Sequence, residues 1–292
     1  MNERVVRIAT RASELALWQA EYLGKLLGHP YELVKVRTRA DVDLSLPLKD
    51  FSGQGVFVKE VQQAVLDGAA DLAVHSAKDL PTQQVDSLVL AAILKRSDPR
   101  DALVGTSFRL LPKAARVGTS APRRQAMLHR IRPDIEFVEI RGNIQTRLDK
   151  GRMLDAVVVA KAALDRLGLS DRIAYVFEPD ELCPQVGQGA LAVECRVNDI
   201  ELVGWLAEKC HRDTFSAVVA ERSLLAQLGS GCSIPVGAHA TRVAGKLHLY
   251  GIVASLSGET AIDAMGIGDD PVDLGIQVGN RLLEQGALGL IG

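Results

Sequence analysis

Short strand-like runs alternate with amphipathic helical stretches over the first 170 residues, and that rhythm restricts the fold more than any other feature of the chain. Val5–Ala9 reads as a strand and Ser13–Leu27 as a helix capped by Ser13. A helical pattern over Val58–Leu66 follows, then Asp71–His75 and Leu88–Leu94, which read as buried strands. Asp98-Pro99-Arg100-Asp101 interrupts the pattern and reads as a crossover between domains. The rhythm resumes with strands at Arg116–Gly118, Glu136–Ile140 and Asp155–Val159, and helices at Pro122–Ile131, Ile144–Gly151 and Ala162–Leu167. Repeated βαβ units predict two α/β domains with largely parallel sheets. From Thr214 the character changes: a helix over Thr214–Leu228, the loop Gly229-Ser230-Gly231-Cys232, strands near Pro235–Thr241, Lys246–Ala254 and Thr260–Met265, and a closing helix near Val272–Gln285. Strands grouped beside two helices predict a small α+β domain.

With 292 residues, the chain has room for two or three such domains. Its composition, 47% hydrophobic and 24% charged, excludes a disordered, collagenous or coiled-coil protein. The longest apolar run, Leu88–Leu94, is far too short to span a bilayer, and Arg4 and Arg7 leave no apolar signal-peptide core. A cytosolic, soluble chain is expected. The net charge of −2 is uneven: residues 96–172 hold thirteen arginines and three lysines against nine acids. A basic middle on a near-neutral protein points to a focused anion site more than to a polyanion-coating surface. Six Phe, four Tyr and two Trp are too few for a nucleic-acid stacking platform. Cys183, Cys195, Cys210 and Cys232 form no CxxC pair, so neither a zinc nor a redox motif is expected, and no metal.

Several arginines sit where a helix disfavours positive charge. Arg123 and Arg124 fall in a first turn after Val117-Gly118-Thr119-Ser120, Arg11 precedes the Ser13 helix, and Arg141 precedes a helix start at Asn143. Each such placement costs about 0.3–1 kcal/mol unless an anion lies among them. Arg147 and Arg166 belong to the same basic segment. Pairing with Asp149, Asp155 or Glu139, or simple solvation, is the alternative for any one of them. His75-Ser76-Ala77-Lys78-Asp79-Leu80-Pro81 follows a buried strand, a usual place for ligand contacts. On spacing alone, a turn capped by Asp79 and ended by Pro81 is the better reading. Cys232 lies in a flexible glycine-flanked loop, where a thiol is either inert or a nucleophile and covalent tether.

Arg7-Ile8-Ala9-Thr10-Arg11 with Ser13 and Leu15-Ala16-Leu17-Trp18-Gln19 resembles the opening of the porphobilinogen deaminase (hydroxymethylbilane synthase) family. Further matching segments follow in order along nearly the whole chain. They are Phe57-Val58-Lys59-Glu60, Ala73-Val74-His75-Ser76 with Lys78-Asp79, Asp98-Pro99-Arg100-Asp101-Ala102, and Val117-Gly118-Thr119-Ser120 with Arg123-Arg124-Gln125. Arg141-Gly142-Asn143 with Thr146-Arg147-Leu148, Val186-Gly187-Gln188-Gly189-Ala190, and Gly231-Cys232 with Pro235 and Gly237 complete the set. Any one is weak; the ordered series is specific.

The resemblance implies two periplasmic-binding-protein-like α/β domains with a central cleft, plus a small α+β C-terminal domain. The division would be 1–95 with 190–210, then 96–189, then 211–292. It implies a transferase that adds four porphobilinogen units to a dipyrromethane primer joined to Cys232 by a thioether. Each addition would release ammonia, and hydrolysis would free linear hydroxymethylbilane for haem and other tetrapyrroles. Asp79 would be the catalytic acid, stabilising a cationic azafulvene-like intermediate. Lys78, Ser76, Thr119, Ser120, Arg123, Arg124, Arg141, Arg147 and Gly189 would bind the cofactor, and Arg11, Ser13, Gln19, Phe57 and Arg166 the substrate. Pyrrole acetates and propionates make the growing chain a polyanion, which gives the arginines a physical reason. The expected enzyme is a cytoplasmic monomer with no nucleic-acid or membrane partner.

Some positions depart from the family pattern: Gly53-Gln54-Gly55 stands where a lysine is usual at the centre, and Asp50 replaces another, beside Lys49. Ala121 lacks a hydroxyl common there, Ala40 replaces a glycine, and Glu14 a proline. These changes bear on affinity and turnover more than on identity. The rival reading is a cytosolic binder of a small polyanion, which would have no need of a loaded Cys232.

Overall fold

The computed structural model describes residues 5–38, 58–229 and 234–291. Along the chain its elements run β1 (Val6–Arg11), α1 (Glu14–Leu27), β2 (Tyr31–Val36), α2 (Lys59–Leu66), β3 (Leu72–Ser76), β4 (Leu88–Ile93), β5 (Asp101–Gly105), β6 (Arg116–Gly118), α3 (Pro122–Ile131), β7 (Glu136–Val138) and α4 (Ile144–Lys150). Then come β8 (Ala156–Ala160), α5 (Lys161–Arg166), β9 (Ile173–Val176), β10 (Leu191–Arg196), α6 (Ile200–Lys209), α7 (Arg212–Gln227), β11 (Val236–Val243), β12 (Lys246–Ala254), β13 (Ala261–Gly268), α8 (Pro271–Glu284) and α9 (Leu288–Ile291). Two compact units result: Met1–Arg96 with Ala190–Phe215, and Ser97–Gly189 with Ser216–Gly292.

In the first unit the strand order is β2-β1-β3-β10-β4. β1 runs parallel to β2 and β3, with Ile8 opposite Leu33 on one side and Leu72 on the other. β10 is antiparallel to both β3 and β4. Both faces of this sheet are covered. Ile8, Leu72 and Val74 point into a core with Leu23 of α1 and Leu202 of α6. Ala9 and Ala73, one residue out of phase, meet Val61 and Val65 of α2. Full burial of each large aliphatic side chain contributes roughly 1.5–3 kcal/mol. That two-sided burial is why these strands read as continuous apolar runs.

The second unit repeats the plan as β7-β6-β8-β5-β9, with β6 parallel to β7 and β8, and β5 antiparallel to β8 and β9. The two sheets share one strand plan, two parallel pairings followed by two antiparallel ones. The expectation of largely parallel sheets therefore needs correction, because half the pairings in each are antiparallel. β10 and β5 each enter their sheet after the chain has left the other one. They are thus released from the βαβ geometry that enforces parallel pairing. The crossover expected at 98–101 ends a residue early, since Asp101 already opens β5.

The second unit also holds the antiparallel sheet β11-β12-β13. Leu247, Leu249 and Val253 of β12 pack under Leu224 of α7 and Val278 and Leu282 of α8. Asp270 caps α8 by accepting from the Val272 and Asp273 backbone N–H groups.

Candidate active site

Two adjacent parallel strands deliver the first group of side chains. β1 ends at Arg11, and Ser13 caps α1 by accepting from the Ala16 N–H at 3.4 Å. Gln19, one turn further along α1 and buried, donates to the Ser76 hydroxyl at 3.0 Å, where β3 ends. The chain then closes a 3₁₀ turn over Ala77–Asp79, held by Leu80 N–H to the Ala77 carbonyl. Lys78 and Asp79 are partly exposed on this turn. The turn expected from spacing is present, yet no cap hydrogen bond from Asp79 supports it, and among the described residues the Asp79 carboxylate has no hydrogen-bond or ion-pair partner. A carboxylate at the end of a parallel strand, left without an internal partner, is placed for a ligand. Phe57 lies outside the described residues, as do Ala40, Asp50 and Gln54.

The second group surrounds the carboxyl end of β6. The Thr119 hydroxyl accepts from the Ala121 N–H at 3.2 Å, and the Ser120 hydroxyl donates to the Ile140 carbonyl at 2.7 Å. Arg123 and Arg124 follow in the first turn of α3, and the anion they face inside the unit is Asp101. Arg123 Nη2 donates to one Asp101 oxygen at 2.6 Å, while Arg124 Nε and Nη2 donate to the other at 3.1 and 2.7 Å. Both arginines are 5% exposed and Asp101 is fully buried. Their other bonds go to the Cys183 and Val158 carbonyls. Burial pushes the Asp101 carboxyl up, but the charges of Arg123 and Arg124 outweigh it and hold the group below the usual carboxylate range.

Arg141 and Arg147 bracket the Asn143 cap of α4, which accepts from the Thr146 N–H. Arg141 pairs with Glu139 at 2.9 Å, one of the partners weighed above, and Arg147 Nε donates to the Gly142 carbonyl at 2.9 Å. Both guanidinium groups are partly exposed. Arg166 is buried and donates to the Gly189 carbonyl at 2.6 Å and to the Ser97 hydroxyl. Gly189 has φ +86°, and a Cβ there would stand 2.6 Å from the Ser97 carbonyl, so this loop needs glycine. Its neighbour Gln188 donates to Asp101 at 3.0 Å and to the Pro99 carbonyl at 2.7 Å. Gly187 N–H donates to Glu221, which also accepts from the Ala240 N–H. Asp101, Gln188 and Glu221 carry this network, and none is assigned a site role in the sequence reading. Asp101 and Gln188 stand within family segments quoted above, which was the available signal.

Cys232 lies outside the described residues. Cys183, Cys195 and Cys210 form no disulfide among the described residues, and burial pushes Cys195 up to about 11, which keeps it protonated and inert.

The fold and these side chains define a protein of two lobe-like α/β sheets and a third, antiparallel sheet, with cations concentrated at strand ends and helix starts. A family model described as porphobilinogen deaminase, dipyromethane cofactor binding domain, matches residues 6–203, and one for the C-terminal domain of porphobilinogen deaminase matches residues 215–284. Porphobilinogen deaminases of Trichlorobacter lovleyi and Pelobacter propionicus are each 44% identical over 302 residues, covering 100% of this chain and 97% of theirs. Among solved structures, the Bordetella pertussis BvgS periplasmic VFT2 domain aligns at TM-score 0.40 and 17% identity, over 75% of this chain and 92% of that one, a likeness too slight to add to the argument. The chain belongs to the porphobilinogen deaminase family. It is an enzyme of tetrapyrrole biosynthesis, and its cofactor is dipyrromethane.

The donor set fits that cofactor. Two pyrroles bearing acetate and propionate present four carboxylates, and within the second unit partly exposed Arg141 and Arg147 with the Ser120 hydroxyl are cations and polar groups of the matching kind.

Proposed function

We propose that this enzyme joins four porphobilinogen molecules in turn, with Asp79 as the group that acts on the reacting pyrrole and Cys232 as the point of covalent attachment. When bound, dipyrromethane supplies the pyrrole carbon to which each new ring is joined. The aminomethyl C–N bond of the incoming porphobilinogen breaks and ammonia leaves, its methylene carbon forms the new C–C bond, and the hydrogen displaced from the accepting pyrrole carbon departs as a proton. Asp79 accepts the pyrrole N–H and stabilises the positive charge that develops on that ring. Its partly exposed position, without a partner among the described residues, supports this reading, because an ion pair there would blunt its field.

Arg141, Arg147, Lys78, Ser76, Thr119, Ser120 and the Gly189 loop hold cofactor carboxylates in this reading. Arg11, Ser13, Gln19, Phe57 and Arg166 meet the incoming substrate. Arg123 and Arg124 contribute as a pair: with Asp101 they retain one positive charge in the first turn of α3, which follows Thr119 and Ser120 in the chain. The domain division proposed is 1–95 with 190–210, 96–189, and 211–292; the last boundary falls between the ranges of the two family models. We also place the enzyme in the cytoplasm as a monomer acting on a small molecule, without nucleic-acid or membrane partners. The absence of disulfides among the described cysteines suits a reducing compartment, and no helix among the described residues is long and apolar enough to cross a membrane.

Asp79→Asn tests the central assignment, since it keeps size and removes charge. We expect kcat to fall on the order of a hundredfold or more, with porphobilinogen binding and thermal stability near those of the parent. A variant that lost stability and kept its kcat would return Asp79 to the role of a turn residue.

A further inference from the structure

Asp101 occupies an unusual position for a carboxylate. It is fully buried at the start of β5, yet it accepts from Arg123, from Arg124 twice, and from Gln188. Buried ion clusters are weak contributors to stability, because desolvation offsets most of the Coulomb attraction and apolar side chains of similar volume often serve as well. This cluster is also unbalanced, with two guanidinium groups to one carboxylate, and both cations stand at the positive end of α3. A purely structural cluster gains nothing from that surplus. A site that must hold two arginines at a fixed spacing beside an anion does.

We propose that Asp101 is a positioning residue for carboxylate recognition, clamping Arg123 and Arg124 side by side so that the pair's surplus positive charge is held in the first turn of α3, which follows Thr119 and Ser120 in the chain. The proposal rests on the reading of that segment as cofactor-binding. Two features support a clamp over a simple counter-ion. Each arginine takes a different Asp101 oxygen, which fixes their separation as well as neutralising one charge. Each is also pinned at a second point, Arg123 on the Cys183 carbonyl and Arg124 on the Val158 carbonyl, so neither swings about the shared carboxylate. Gln188 donates to the same Asp101 oxygen as Arg124, joining the clamp to the loop that bears Gly189.

Asp101→Asn keeps the shape but leaves two guanidinium groups repelling each other across a neutral amide. The measurement is pyrrole content per folded chain, by intact mass on protein held well below its Tm, together with kcat and KM for porphobilinogen. A merely structural residue moves Tm and leaves these unchanged. We expect pyrrole content or kcat/KM to fall on the order of tenfold or more. Folded Asp101→Asn with full pyrrole content and parental kcat and KM overturns the proposal. Should Asp101→Asn fail to fold, Gln188→Leu decides, because it removes the amide's hydrogen bonds to Asp101 and to the Pro99 carbonyl and no charge. A folded Gln188→Leu with a several-fold loss in kcat/KM or pyrrole content supports the clamp, and one without any loss overturns it. Arg147→Met, on the partly exposed α4, separates this failure from a failure of the underlying reading. If Arg147→Met keeps full pyrrole content and turnover, carboxylate recognition by the arginine set is itself wrong.

Discussion

A carboxylate in a dry interior normally takes up a proton, and Asp101 stays charged because two guanidinium groups face it. That has a measurable consequence at low pH. The folded-state value of Asp101 lies below its unfolded value, so the group's contribution to stability is fully present above about pH 4 and is lost as pH falls through that range toward the folded value. We expect the stability gap between the parent and Asp101→Asn to be constant near neutrality and to shrink between roughly pH 5 and pH 2. Denaturant titrations at several pH values check this; a gap that stays constant down to pH 2 would assign the stabilisation to packing. The arginine pair was legible in the sequence as cations at a helix start. Its partner was not, because Asp101 lies 22 positions from Arg123 and reads as part of a crossover. Pairing across a sheet leaves no local spacing to find.

Helix starts show what local chemistry does and does not announce. Ser13 and Asn143 cap α1 and α4 as their sequence positions require. α3 is different: its N-cap is Ala121, extended at φ −89° and ψ 115°, with no side chain to accept from the first turn. The backbone is already in the conformation a capping serine uses. Ala121→Ser should therefore stabilise the protein by about 1 kcal/mol, raising Tm by roughly 2–4 °C in a calorimetric scan. An unchanged Tm would mean that the neighbouring Thr119 hydroxyl, which already accepts from Ala121 N–H, leaves nothing to gain. Strands with buried acids were the elements hardest to read. β5 and β10 contain Asp101 and Glu194, both buried, and a hydrophobicity pattern assigns such residues to the surface. Glu194 is satisfied by the Gln62 amide from α2, a partner 132 positions away. β2 and β9 have no fully buried residue, so neither presents an apolar run.

Across the whole chain, two sheets share one strand plan, and each takes in a strand after the chain has crossed from the other. The βαβ rhythm revealed the parallel half of each sheet and not the antiparallel half, since only the former leaves a strand–helix alternation in sequence. The surplus of positive charge over residues 96–172 points to an anion site in the second sheet's segment, while the internal partners of its individual arginines needed geometry. Attachment at Cys232 is a proposal that comes from the family match, because the glycine-flanked loop alone leaves an inert thiol equally open, and Cys232 lies outside the described residues. The intact mass of the purified, active enzyme tests that anchor directly. We expect a chain heavier than its sequence by one dipyrromethane, with the whole increment on the peptide that contains Cys232. Fully active protein of bare-chain mass, with a free Cys232 thiol, would contradict it.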